Sequence, residues 1–141
     1  MCSGIKPKYI KKLEGIMKIS ADMQKAIDEI TKVQGYICHG LVNYQKGVSA
    51  VNEDSDPKEQ SNFFPQQCTA IMNTLTNSLG NLNGGSPNKL IVEASKMTMM
   101  IFPVNETYFC GVGLQPGISP SAAEQKLETL RTAFSSALNA K

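Results

Sequence analysis

The chain has 141 residues, 41% of them apolar and 18% charged, with a formal net charge of +2. That is the length of one domain, enough to build a hydrophobic core without disulfide staples. A charge this near zero gives no ground for nucleic-acid binding, and no run approaches the ~18 consecutive apolar residues of a membrane helix, so direct membrane insertion is not expected.

The charge is unevenly spread. Residues 1–18 hold Lys6, Lys8, Lys11, Lys12 and Lys18 against Glu14 alone. Such a leader reads first as a solvated terminal segment and second as a contact for an acidic partner or an anionic membrane surface. Its start, MCSGIKPKYIKK, has no apolar stretch after the charges, so no signal peptide is expected and a cytoplasmic location is. On that reading the sequon at Asn105 is fortuitous. The leader is assigned to residues 1–19 and the folded domain to 20–141.

In chain order, Tyr9, Ile10, Leu13, Ile16 and Met17 have helical spacing, interrupted by Gly15. They read as a short helix, or as the first part of one long, bent helix that continues beyond Ser20. Ser20 is a good N-cap with Asp22 in the first turn, and Met23, Ile27, Ile30 and Val33 form the stripe of a helix over about 20–33. Gly35 ends it. Residues 36–42 and 48–51 read as a hairpin around Gly47, and 52–59 as a polar loop. That loop lacks the alternation, central Gly and closing Glu of a calcium-binding loop.

The next stretch is the most unusual. From Gln60 to Asn88 there is no Lys, Arg, Asp, Glu or His. Its middle has Phe64, Cys68, Ile71, Leu75, Leu79 and Leu82 at steps of three and four, so it reads as a helix. The opposite side carries Gln66, Gln67, Thr69, Ala70, Met72, Asn73, Thr76 and Asn77, all neutral. A helix without charge all round is covered on both sides. One cover is its own domain, and the other is expected to be a second protein.

The run NGGSP stops the helix. It precedes a strand and lacks Gly-Lys-Ser/Thr, so it is not a phosphate-binding loop. Residues 90–94, 97–102 and 108–114 read as three strands with apolar residues on both faces. Ser119 with Pro120, or a capping box of Ser121 and Glu124, opens a last helix whose stripe is Ala123, Leu127, Leu130, Phe134 and Leu138. Lys126, Glu128 and Arg131 are expected to face water.

These elements give an α+β fold class. It is a three-layer sandwich with a five-stranded, mostly antiparallel sheet between helices, in the order α-β-β-α-β-β-β-α. Chemistry is hard to find in it. Cys38, Cys68 and Cys110 sit on core positions without metal-ligand spacing, and Met97, Met99 and Met100 read as packing. His39, the only histidine, lies among apolar strand neighbours, and no Gly-x-Ser-x-Gly elbow occurs. The chain is expected not to be an enzyme and to need no cofactor or metal.

Several patterns resemble the roadblock family, which includes dynein light chains and regulators of small GTPases. They are Ile30-x-x-Val33-x-Gly35, then Leu41-Val42 with Gly47 and Ala50, and Leu90-Ile91-Val92-Glu93 followed by Met97-x-Met99-x-Ile101-x-Pro103-Val104. The resemblance spans about residues 20–138. It implies a dimer, with itself or with a related roadblock chain, in which central helices pack together and the third strands pair. That would put Phe64, Cys68, Ile71, Met72, Leu75, Thr76 and Leu79 at the joint, with Leu90, Val92 and Ala94 on the paired edge. It implies a scaffold or adaptor that binds a Ras-like small GTPase, for which the outward residues Gln67, Ala70, Asn73 and Asn77 are candidates. The only arginine, Arg131, lies in the last helix and offers no basis for a catalytic arginine. The alternatives are a profilin-like actin binder, which shares the helix–sheet–helix plan but needs more strands after the central helix, and a PAS-type sensor.

Overall fold

A computed structural model describes residues 9–12, 15–18, 20–50 and 65–139. The leader forms two strands, β1 (Tyr9–Lys12) and β2 (Gly15–Lys18), paired antiparallel with Ile10 opposite Met17. This corrects the expected helix. Gly15 disfavours a helix interior, and Ile10 and Ile16, being β-branched, suit extended backbone at least as well.

Helix α1 (Ala21–Ile30) starts where the sequence indicates. The Ser20 side chain accepts a hydrogen bond from the Met23 amide at 3.2 Å, and Met23, Ala26, Ile27 and Ile30 are buried. The chain turns at Gly35, whose φ of +80° suits glycine and where a Cβ would meet the Ile118 side chain at 2.8 Å. Strands β3 (Tyr36–Asn43) and β4 (Val48–Ser49) come next as a hairpin. The expected polar loop at 52–59 lies outside the described residues.

Helix α2 (Pro65–Asn81) ends in an αL cap. Asn83 has φ +56° and the Gly84 amide reaches back to the Leu79 carbonyl at 2.7 Å. Beyond it lie strands β5 (Leu90–Glu93), β6 (Thr98–Pro103) and β7 (Tyr108–Leu114), then helix α3 (Ser121–Asn139). The five strands of the domain pair antiparallel in the order β4-β3-β7-β6-β5, so β5 is an edge. Pro103 is the last residue of β6 rather than its terminator, a position where a missing N–H costs the ladder little.

The alternation of strand side chains divides the core in two. Leu41, Met100, Phe102, Tyr108, Cys110, Val112 and Leu114 face α1 and α3. Cys38, Val42, Ile101 and Phe109 face α2 and pack with Cys68 and Met72. A strand covered on both sides must be apolar throughout, and β7 is buried along its whole length.

Arg131 departs from expectation. Its guanidinium donates to the Asn88 carbonyl at 2.7 Å and the Pro103 carbonyl at 3.2 Å, pairs with Glu128, and lies over the Phe102 ring at 4.9 Å. Lys89 stands over the same ring and bonds to Glu124 and Glu128. Arg131 and Glu128 are therefore half-buried ties between α3 and the ends of β5 and β6, not solvated residues. Glu124 spends its carboxylate on Lys89, and the Ser121 amide is met by the Ser119 hydroxyl at 3.5 Å. Of the two caps expected for α3, the one built on Ser119 and Pro120 is formed.

Candidate protein-interaction face

Helix α2 touches its own domain along a narrow strip. Cys68 and Met72 are its buried side chains, at 4% and 1% exposure. At roughly 100° per residue they share a face with Leu75 and Leu79, which are half-buried. Ile71 falls beyond the edge of that strip and is 40% exposed, and Leu82 is more exposed still. The expected stripe is thus rotated. Met72, placed outward from the sequence, points inward, and Ile71, placed inward, points out. A helix with no charge on any side carries no polar marker to say which apolar arc is the inner one.

The exposed arc meets β5 in a groove of about 450 Å³ lined by Ala70, Ile71, Thr74, Leu75, Ser78, Leu90 and Val92. No ionisable side chain lines it. Ile91 and Val92 on β5 are each 37% exposed, because nothing pairs with the outer edge of this strand among the described residues. An apolar groove beside an open strand edge leaves backbone N–H and C=O groups and aliphatic side chains facing the same way.

The expected joint residues divide on this surface. Ile71, Leu75, Leu90 and Val92 lie together in the groove. Thr76 is exposed on the other side of α2, and Ala94 is exposed just after β5. Cys68 and Met72 are spent inside the chain: they support α2 from below and have no surface left for a partner. Phe64 lies outside the described residues. The four expected partner-facing residues, Gln67, Ala70, Asn73 and Asn77, are all exposed, and two of them border different openings. Ala70 belongs to the apolar groove, whereas Asn73, with Thr76, lines a polar cleft of about 1040 Å³ shared with Tyr44, Gln45, Pro87 and residues 103–107. Ile91, not among the residues expected at the joint, is exposed at the centre of the free edge. Its β-branched side chain between Leu90 and Val92 was the available signal.

The reactive residue types are placed structurally. The Tyr36 hydroxyl and His39 Nδ1 are 2.7 Å apart, and His39 is buried. A register shift between Tyr36 and Cys38 puts both on one side of β3. Burial pushes the Cys68 thiol up to about 11, with Cys38 adding to the effect, and the Cys110 thiol up to about 12. The Cys68 sulfur donates to the Met99 thioether at 3.8 Å. Thiols held this far from ionisation are packing groups at neutral pH. Arg131 directs four of its five N–H donors to Glu128 and to the Asn88 and Pro103 carbonyls, so its guanidinium is held within its own chain.

Among the described residues no helix is long and apolar enough to cross a membrane. No family model and no curated protein sequence matches the chain. Solved structures do match. MglB of Myxococcus xanthus superposes with a TM-score of 0.67 at 11% identity, over 85% of this chain and 92% of that one. MglB in a tetrameric arrangement gives 0.67 at 9%, over 84% and 91%. A Roadblock/LC7 domain of Streptomyces avermitilis gives 0.55 at 14%, over 80% and 91%. This chain therefore has the roadblock-like α+β fold.

Proposed function

We propose that this chain is a non-catalytic, self-associating scaffold that binds, and through binding regulates, a Ras-like small GTPase. The observation that carries the reading is the groove between α2 and β5. It sets exposed Ile71 and Val92 beside an open strand edge, against a helix without a single charge. Removing such a side chain from water is worth roughly 1.5–3 kcal/mol. A twofold joint buries each of them twice, which is enough to offset part of the cost of association.

In this reading the second copy covers the groove and the β5 edge. The two α2 helices then lie side by side, and their outer residues, Gln67, Asn73 and Asn77, form a neutral platform for the GTPase. Regulation on it is positional: the platform holds the GTPase's own residues in place and contributes no arginine. The likeness to MglB folds and to a Roadblock/LC7 domain supports the reading, as does the resemblance of residues 30–50 and 90–104 to the family pattern. The test is binding of the purified protein to a panel of Ras-like GTPases loaded with GTP analogue or GDP. Nucleotide-dependent binding to one of them is expected. Binding to none, by a protein shown to be folded, would contradict the GTPase assignment.

A further inference from the structure

Helix α2 ends in a cap whose backbone is tied although its surface is open. The Asn83 amide donates to the Gly80 carbonyl at 3.1 Å, and the Gly84 amide to the Leu79 carbonyl at 2.7 Å. These are the two hydrogen bonds of a Schellman cap, which needs a left-handed residue at its corner. Asn83 fills that place with φ +56°, a conformation asparagine accepts more readily than most residues with a side chain. Residues 80–86 are all exposed.

Asn83-Gly84 is also the one Asn-Gly step in the chain. At such a step the backbone nitrogen can attack the side-chain amide that precedes it, and glycine has no Cβ to obstruct the approach. The Gly84 nitrogen loses its proton to solvent base and bonds to Asn83 Cγ. The Cγ–Nδ2 bond breaks, and Nδ2 takes a proton from water and leaves as ammonia. Water then adds to either carbonyl of the five-membered succinimide and opens it to aspartate or to isoaspartate, in which the chain runs through Cγ. Water is the only reagent consumed, and nothing is oxidised or reduced.

The cap restrains this reaction twice. The Gly84 N–H is directed to the Leu79 carbonyl rather than to solvent base. Asn83 is held in the left-handed region, whereas ring closure requires the chain to turn about its Cα–C bond until the Gly84 nitrogen faces Cγ. Both restraints are lost when the last turn of α2 opens. Gly80 weakens that turn, since glycine holds a helix less well than alanine, and a Cβ there would meet nothing within 4 Å.

We propose that Asn83 is a site of spontaneous deamidation, guarded by the Schellman cap and modified when the end of α2 opens. The product puts a carboxylate into residues 60–88, which otherwise carry no charged side chain. It stands at a helix C-terminus, where the free carbonyl ends repel an anion. The isoaspartate form also lengthens the backbone at the corner of the cap, so the two hydrogen bonds no longer close together. Modification therefore removes the guard that delayed it.

The test is the rate of deamidation at Asn83 in the full chain at mildly alkaline pH, followed by peptide mapping and mass spectrometry. Folded protein is compared with the same protein unfolded in urea. The folded rate is expected to be lower by roughly tenfold or more, as for an event that needs local opening. Gly80→Ala, which strengthens the last turn, is expected to slow the folded reaction about fivefold and leave the rate in urea unchanged. Equal rates in the folded and unfolded chain would overturn the guard. A folded Gly80→Ala protein that reacts as fast as the parent would overturn the gating by α2. Faster modification of another asparagine in the unfolded chain would overturn the choice of site.

Discussion

Ile71 of α2 and Val92 of β5 line one apolar groove, and each keeps more than a third of its surface open to solvent. The pairing gives the groove its consequence. A helix face and a strand edge expose aliphatic groups toward the same space, and a single added chain could cover both. Ile71→Asp should therefore abolish self-association while leaving the fold intact, because the side chain contributes little to the core of one chain. Light scattering and urea unfolding on the same variant check the two halves. A dimer that survives the substitution would remove α2 from the joint.

Met72 and Thr76 are one helical turn apart and should behave oppositely. Met72→Ala empties a fully buried position between α2 and the sheet and should cost about 2–5 kcal/mol of stability. Thr76→Ala, at an exposed position, should stay within about 0.5 kcal/mol of the parent. Denaturant melts of both variants decide it. Equal losses would mean that the inner face of α2 is not where the burial pattern puts it.

Asn73 tests the platform separately from the joint. Asn73→Arg adds a long cation to the outer side of α2, away from the groove that holds Ile71. It should weaken GTPase binding by tenfold or more and leave the solution mass unchanged. Undiminished binding would move the partner's surface elsewhere.

The Arg131 cluster carries an acid dependence. Burial acts to raise the Glu128 carboxyl, but hydrogen bonds and charge from Arg131 and Lys89 outweigh it, and the group titrates below its ordinary 4.5. A lowered carboxylate contributes stability that is present above about pH 4.5 and is lost as pH falls through the folded value. The Glu128 side chain keeps over a third of its surface in water, so solvent screening keeps the effect small. Glu128→Gln should lower stability slightly at pH 7 and make no difference well below the folded value. Arg131→Ala should cost more, about 1–3 kcal/mol, because it also strips the donors from the Asn88 and Pro103 carbonyls. Urea melts from pH 7 to pH 3 separate the two.

Much of this was legible in the sequence, and the parts that were not have physical causes. The Ser20 cap, the glycine turn at 35 and the strands at 36, 90, 98 and 108 come from local chemistry. The leader did not, because Ile10, Ile16 and Met17 suit either period over so short a stretch. The facing of α2 was one arc away from its expected place: Ile71 and Met72 are both apolar and no charge marks the solvent side. Arg131 looked like a surface residue because its acceptors are backbone carbonyls at 88 and 103, which no side-chain pattern announces. The same uncharged run that blurred the facing of α2 also identified it as the element that meets a partner in the proposed function.

The central claim is that the face formed by α2 and β5 joins a second copy of the chain. Its most direct test is the mass in solution at micromolar concentration, by light scattering. The account gives a mass near twice 15.3 kDa, falling to 15.3 kDa for Ile71→Asp. A clean monomer for the unmodified chain would contradict it and leave the groove for a different protein.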